Sequence, residues 1–128
     1  LYDVTTTHLL TVKKIYHLST CNTCQRIINE LQPDQDVLLQ DIKTDEIIPE
    51  QLEEMQQLSG SYESLFSKRA QLYRKQGLHE KTLNENDYKT LILGHYTFLK
   101  RPVIIINNQI FVGNSKKTVA EAKEAITV

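Results

Sequence analysis

The apolar positions along the chain change period several times, and each change predicts an element. Residues 11–17 (TVKKIYH) mix β-branched and aromatic residues with lysines and predict a short strand that runs through residues 18–20 to Cys21. From residue 22 to 31, Cys24, Ile27, Ile28 and Leu31 fall at the i, i+3, i+4, i+7 spacing of a helix with one buried face. Pro33 ends that helix. The compact apolar run 37–42 (VLLQDI) predicts a second, largely buried strand. Pro49 suits a first helical position, so residues 49–58 predict a helix. A helix-leaning stretch follows to Gly94, broken near Gly60 and Gly77. Residues 102–106 and 109–112 flank Asn107 and Asn108 and predict a hairpin. Ser115 offers an N-cap to a closing helix whose apolar stripe is Val119, Ala122 and Ile126.

The order is strand, helix, strand, several helices, hairpin, helix. A parallel first pair joined by a crossover helix, then an antiparallel hairpin and a last helix, is the plan of an α/β domain of thioredoxin-like fold: a mixed four-stranded sheet flanked by helices, with a helical insert. No repeat or linker divides the sequence, so residues 1–128 read as one domain with the insert at about 49–95. Residues 1–10 stand outside the plan, as an N-terminal extension. A chain of 128 residues, 40% hydrophobic and 24% charged, can hold a core without disulfides or structural metal.

Fifteen Lys and Arg against sixteen Asp and Glu leave a net charge of -1, without the basic footprint of a nucleic-acid or anionic-membrane binder. No apolar stretch is long enough for a membrane span, and residues 1–12 lack the basic flank and cleavage site of a signal peptide. The expected location is the cytoplasm.

The chemistry concentrates in Cys21-Asn22-Thr23-Cys24, between the first strand and the first turn of the first helix. A helix N-terminus offers unpaired N–H groups and a favourable dipole, which stabilise the Cys21 thiolate, the reactive form. His17, four residues earlier, adds positive charge if it is near and protonated. Cys24 falls on the apolar face and can act as a resolving thiol, returning a derivatised Cys21 through a disulfide. Three other readings stand beside this one. A structural disulfide closing so short a ring stabilises by only about 2 kcal/mol. Zinc would use the Cys-x-x-Cys as half a site, but no second Cys pair or His-x3-His follows, so no metal is expected. Finally, the cysteines, Cys24 above all, can be small buried hydrophobes.

The run strand, His17, Cys21, Cys24, helix resembles the glutaredoxin-coupled arsenate reductase (ArsC) family and its relatives, among them the regulator Spx. Three further segments carry the resemblance, which runs from about residue 14 to 126: Ser67-Lys68-Arg69, then Leu72 to Leu78 (LYRKQGL), then Leu99-Lys100-Arg101-Pro102-Val103-Ile104. The resemblance implies that Cys21 is the nucleophile, that His17 is its associated histidine, and that Arg101 helps to bind an oxyanion. A guanidinium beside a thiolate lowers its pKa and presents a fork of donors to a tetrahedral anion. By analogy with thioredoxin-like folds, Pro102 is the candidate for a cis peptide bond. The resemblance further implies no bound cofactor, and glutathione with glutaredoxin, or thioredoxin, as external reductant and partner.

Departures narrow this expectation. Asn114 stands where the reductases carry an arginine after the last strand, and their arginine in the insert aligns near Ser67, whereas Arg69 better matches Spx-like members. Losing one charge-assisted contact to an anion costs about 1.5 to 3 kcal/mol, which argues against arsenate as an efficient substrate. The Cys-x-x-Cys pair is closer to the redox switch of Spx than to single-cysteine reductases. Two functions are therefore expected: first, a thiol-dependent oxidoreductase acting on an oxyanion or oxidised thiol with Cys21, Cys24, His17, Arg101, Arg69 and Asn114 about its site; second, an Spx-like redox-sensing regulator that binds RNA polymerase without turnover. His8, His79 and His95 have no ligand-spaced partners and receive no role. Lys68, Arg69, Arg74 and Lys75 around Tyr73 make either a solvated helix face or an interaction surface, and Lys116 and Lys117 oppose the dipole of the helix they begin.

Overall fold

The computed structural model describes residues 12–127, so the expected extension at residues 1–10 lies outside the described residues. The chain forms two compact units: residues 12–45 with 101–127, and residues 46–100.

The first unit contains strand β1 (Lys13–His17), helix α1 (Asn22–Leu31) and strand β2 (Leu38–Asp41). It is completed by β3 (Val103–Ile106), β4 (Gln109–Val112) and the closing helix, numbered after those of the second unit. The sheet order is β2-β1-β3-β4, with β1 parallel to β2 and antiparallel to β3, and β3 antiparallel to β4. This is the expected thioredoxin-like plan. One hydrophobic cluster joins Ile15, Ile104 and Ile106 of the sheet to Ile27 and Leu31 of α1 and to Val119, Ala122 and Ile126. Ile15 lies opposite Ile104, so both strands present that face together. Tyr16, opposite Val103, points to the other face and is equally buried.

The hairpin turns at Asn107, whose φ of 55° is left-handed, a conformation Asn adopts more readily than most residues. Ser115 accepts a hydrogen bond from the Thr118 N–H and caps the last helix, as its sequence position predicts.

The second strand differs from expectation. The run VLLQDI predicts a largely buried strand; Val37 and Ile42 at its ends are buried, yet β2 covers only Leu38–Asp41 and lies at the sheet edge, with Leu38 63% and Leu39 51% exposed. An edge strand has one sheet neighbour, and here its two leucines stay open to solvent. The buried residue of this strand is Gln40, whose amide donates to the Asp45 carbonyl at 2.9 Å. That hydrogen bond offsets the cost of burying the amide.

The second unit holds α2 (Pro49–Ser59), α3 (Gln71–Lys75) and α4 (Glu85–Gly94), with 3-10 turns at Glu63–Leu65, Leu78–Glu80 and Tyr96–Phe98. The last helix of the first unit is then α5 (Lys116–Ile126). Pro49 opens α2, and the breaks near Gly60 and Gly77 are left-handed residues with φ of 100° and 70°. Phe66 stacks on Phe98 with ring centroids 5.3 Å apart and meets Tyr88 at 4.9 Å. Asn84 and Asp87 form a reciprocal cap on α4, each accepting the other's backbone N–H at 2.9 Å. Among the described residues no helix is long and apolar enough to cross a membrane.

Candidate active site

Cys21 is the N-cap of α1, with extended backbone (φ -96°, ψ 112°), and its carbonyl accepts the Gln25 N–H at 3.1 Å. That position sets the sulfur at the end of the helix where the N–H groups of the first turn have no helical partner, and its side chain forms no capping hydrogen bond with them. No acidic residue in the first turn opposes an anion there. Both cysteines are free thiols, Cys21 half-buried and Cys24 fully buried on the core side of α1.

The two thiols are pulled in opposite directions. Burial raises the Cys21 thiol, but the Cys24 N–H and thiol, the Arg101 charge and the Thr23 N–H outweigh it and leave its pKa below the ordinary 9.0. Burial pushes Cys24 up to about 11, helped by the Cys21 thiolate and opposed by the Leu18 backbone and Arg101. Of the pair, Cys21 is thus the thiol that ionises first, because it has the helix N–H groups and Cys24 has the core.

Strand register brings further residues to the same end of the sheet. His17, the last residue of β1, is level with Asp41, the last of β2, and the Ile42 N–H donates to the His17 carbonyl at 2.9 Å. His17 Nδ1 is buried without a hydrogen-bond partner among the described residues. Tyr16 is level with Val103, so the preceding Arg101-Pro102 peptide reaches the end of β1, and that bond is cis. Val103 is level with Val112, and the Gly113 N–H donates to the Pro102 carbonyl at 2.9 Å, which carries the exposed Asn114 to this end too. Cys21, Cys24, His17, Arg101 and Asn114 therefore gather at one sheet end within the first unit.

Arg69 belongs to the second unit, exposed in the turn before α3. Nearby in sequence, Lys68 pairs with Glu63 at 3.2 Å, so part of the basic cluster is already neutralised. His79 and His95 lie in that unit as well, His79 beside Glu80 at 3.7 Å and His95 accepting the Thr97 N–H at 3.0 Å. Among the described residues no group of three or more His, Cys, Asp and Glu is placed to hold a metal ion.

Sequence reading did not single out Asp41. Its carboxylate accepts the Ser19 N–H at 3.1 Å and the Lys43 N–H at 3.2 Å, and the Thr44 hydroxyl lies at 3.4 Å. The Ser19 hydroxyl first, then these backbone donors and the His17 charge, outweigh its slight burial and hold it below the usual carboxylate range. An acidic residue closing the second strand was the available signal, but only the parallel register shows what it faces.

Among curated proteins, none matches this sequence. Solved structures do. An arsenate reductase from Vibrio cholerae is 22% identical over 88% of this chain and 98% of its own, with a TM-score of 0.70. SACOL0876 from Staphylococcus aureus is 20% identical over 87% and 98%, TM-score 0.68. An arsenate reductase (ArsC) related protein from Brucella melitensis is 18% identical over 86% and 92%, TM-score 0.66. At these identities the likeness establishes an arsenate-reductase-like fold. The sequence model of the ArsC family matches residues 16–122, from β1 into α5, with both cysteines and Arg101 inside it, and the chain belongs to the ArsC family.

Proposed function

We propose that this protein is a thiol-dependent oxidoreductase in which Cys21 is the nucleophile, Cys24 the resolving thiol and Arg101 the group that stabilises the anionic partner. The opposed ionisation of the two thiols carries this reading: one pair holds both an attacking thiolate and a proton-bearing reserve. With a disulfide as substrate, the Cys21 thiolate attacks one sulfur, forms a mixed disulfide and expels the other sulfur as a thiolate, which takes a proton from water. Cys21 then no longer carries the charge and acceptor that raise Cys24, so the first step itself eases ionisation of the second thiol. Cys24 attacks the Cys21 sulfur and expels the remaining substrate thiolate, which takes up the Cys24 proton. Two electrons have passed to the substrate, leaving a Cys21–Cys24 disulfide. Glutathione with glutaredoxin, or thioredoxin, in the cytoplasm returns those electrons by the same exchange. With an oxyanion, Arg101 and the α1 N-terminus supply the positive field.

The test is turnover of model disulfides and of arsenate by the purified protein with each reductant. Turnover of disulfides above arsenate is expected. No turnover on either, with the protein retained by RNA polymerase in a pull-down, would overturn the enzyme reading in favour of a redox-sensing regulator.

Asn114 gives a measure of oxyanion capacity. Placing an arginine in that exposed loop adds a second fork of donors at the same sheet end. Asn114→Arg is expected to tighten sulfate or arsenate binding by about 1 kcal/mol, the low end for a charge-assisted contact because the position is solvated. Isothermal titration reads the change, and unaltered affinity in a folded variant would mean that residue 114 does not address the bound anion.

A further inference from the structure

We propose that Asp41 is a positioning residue for Cys21: its carboxylate staples the turn that carries the nucleophile to the end of β2. The buried Leu18 side chain and two hydrogen bonds to its carbonyl hold that turn from within, and its exposed half has no such anchor. Between the last β1 residue, His17, and the N-cap of α1 the chain has only Leu18, Ser19 and Thr20, and Ser19 and Thr20 are exposed. Within the turn the Cys21 N–H donates to the Leu18 carbonyl at 3.0 Å, and the Gln25 side chain reaches the same carbonyl at 3.4 Å. Leu18 also touches the Cys24 thiol through its backbone. A shift of residues 18–20 would thus move Cys21 relative to the Cys24 and Thr23 N–H groups that favour its thiolate.

Asp41 opposes such a shift from the neighbouring strand. Oδ1 accepts both the Ser19 N–H, at 3.1 Å, and the Lys43 N–H, at 3.2 Å, so one oxygen ties the turn after β1 to the turn after β2. The Thr44 hydroxyl lies 3.4 Å from Oδ2, which steadies the carboxylate itself. The parallel register places Asp41 level with His17, two residues before its bonded partner. Any small acidic or amide side chain could make the two Oδ1 bonds. Alanine could not.

The role rests on reading Cys21 as the nucleophile, and electrostatics gives it a distinguishing sign. Among the described residues, Cys24 and Arg101 are charged or titratable groups that act on Cys21, and His17 acts on Asp41. As a bare anion, Asp41 can only disfavour a nearby thiolate, so deleting its charge would speed Cys21 alkylation. As a staple, it favours the thiolate by holding the N–H groups in place, so deleting the acceptor slows alkylation while keeping the acceptor without the charge does not. Asp41→Ala and Asp41→Asn separate the two cases.

The experiment is the pH dependence of iodoacetamide labelling at Cys21, read by mass spectrometry on the full chain, with thermal unfolding as a check on folding. Asp41→Ala is expected to lower the rate at neutral pH by about three- to tenfold, the size of one lost hydrogen bond, and to move the midpoint up. Asp41→Asn is expected to restore both to within about twofold of the parent. If Asp41→Ala labels as fast as the parent or faster, or if Asp41→Asn is as slow as Asp41→Ala, the staple is overturned. Should Asp41→Ala not fold, Asp41→Val, which also lacks an acceptor and suits a strand, takes its place with the same two outcomes. Labelling needs no substrate, so a protein that shows no turnover at all still reports on Asp41.

Discussion

At neutral pH, iodoacetamide is expected to label Cys21 and leave Cys24 unmodified, and Cys21→Ser to remove thiol-dependent turnover by at least roughly a thousandfold. The labelling result follows from ionisation and access together. A thiol at about 11 has on the order of one molecule in ten thousand ionised at pH 7, and Cys24 is also sealed in the core. Cys21 sits below 9.0 and is half-open to solvent. The midpoint of its rate against pH should lie below pH 9, whereas that of Cys24 should lie well above it. The loss of turnover follows because no other thiol occupies an electropositive, partly exposed position. Cys24→Ser should behave differently, since it leaves the attack intact and blocks resolution. In that variant the mixed disulfide should persist and be visible by mass, and turnover should survive only if an external thiol takes over the second step. Should Cys24 label first, the roles of nucleophile and resolving thiol are reversed.

The parts of this molecule that sequence makes legible are those whose neighbours are close in the chain. Cys24, Ile27 and Leu31 form the buried stripe of α1 because helical spacing alone puts them on one face. The hairpin around Asn107 and the Ser115 cap are equally local. The fate of Leu38 and Leu39 is not local. Their run is as apolar as that of a central strand, and only the sheet order places it at the edge. Asp41 shows the same limit from the polar side, since a carboxylate at a strand end has no meaning until a parallel neighbour brings Ser19 to it. Cys21 was legible because one local feature, a cysteine at a helix N-cap, already states its chemistry. The link to Arg101 lies eighty positions away in sequence, and it came through family resemblance, then through the register of Tyr16 with Val103.

Arg101 offers the second large effect, and a pair of substitutions divides its work. Its charge favours the Cys21 thiolate, and its planar fork suits two oxygens of a bound anion. Arg101→Met keeps a long apolar stem and removes both. The expected result is an upward shift of the Cys21 labelling midpoint and a fall of about ten- to a hundredfold in oxyanion affinity, corresponding to about 1.5 to 3 kcal/mol for a lost charge-assisted contact. Partial exposure places the shift of the midpoint at the small end, because solvent screens the charge. Arg101→Lys restores the positive charge as a point without the fork. It should therefore recover most of the labelling midpoint but little of the oxyanion affinity. If Lys recovers both equally, charge alone serves the site and a tetrahedral anion is not gripped by paired donors. If Met changes neither, with the fold intact by circular dichroism, Arg101 has no part in the chemistry of Cys21.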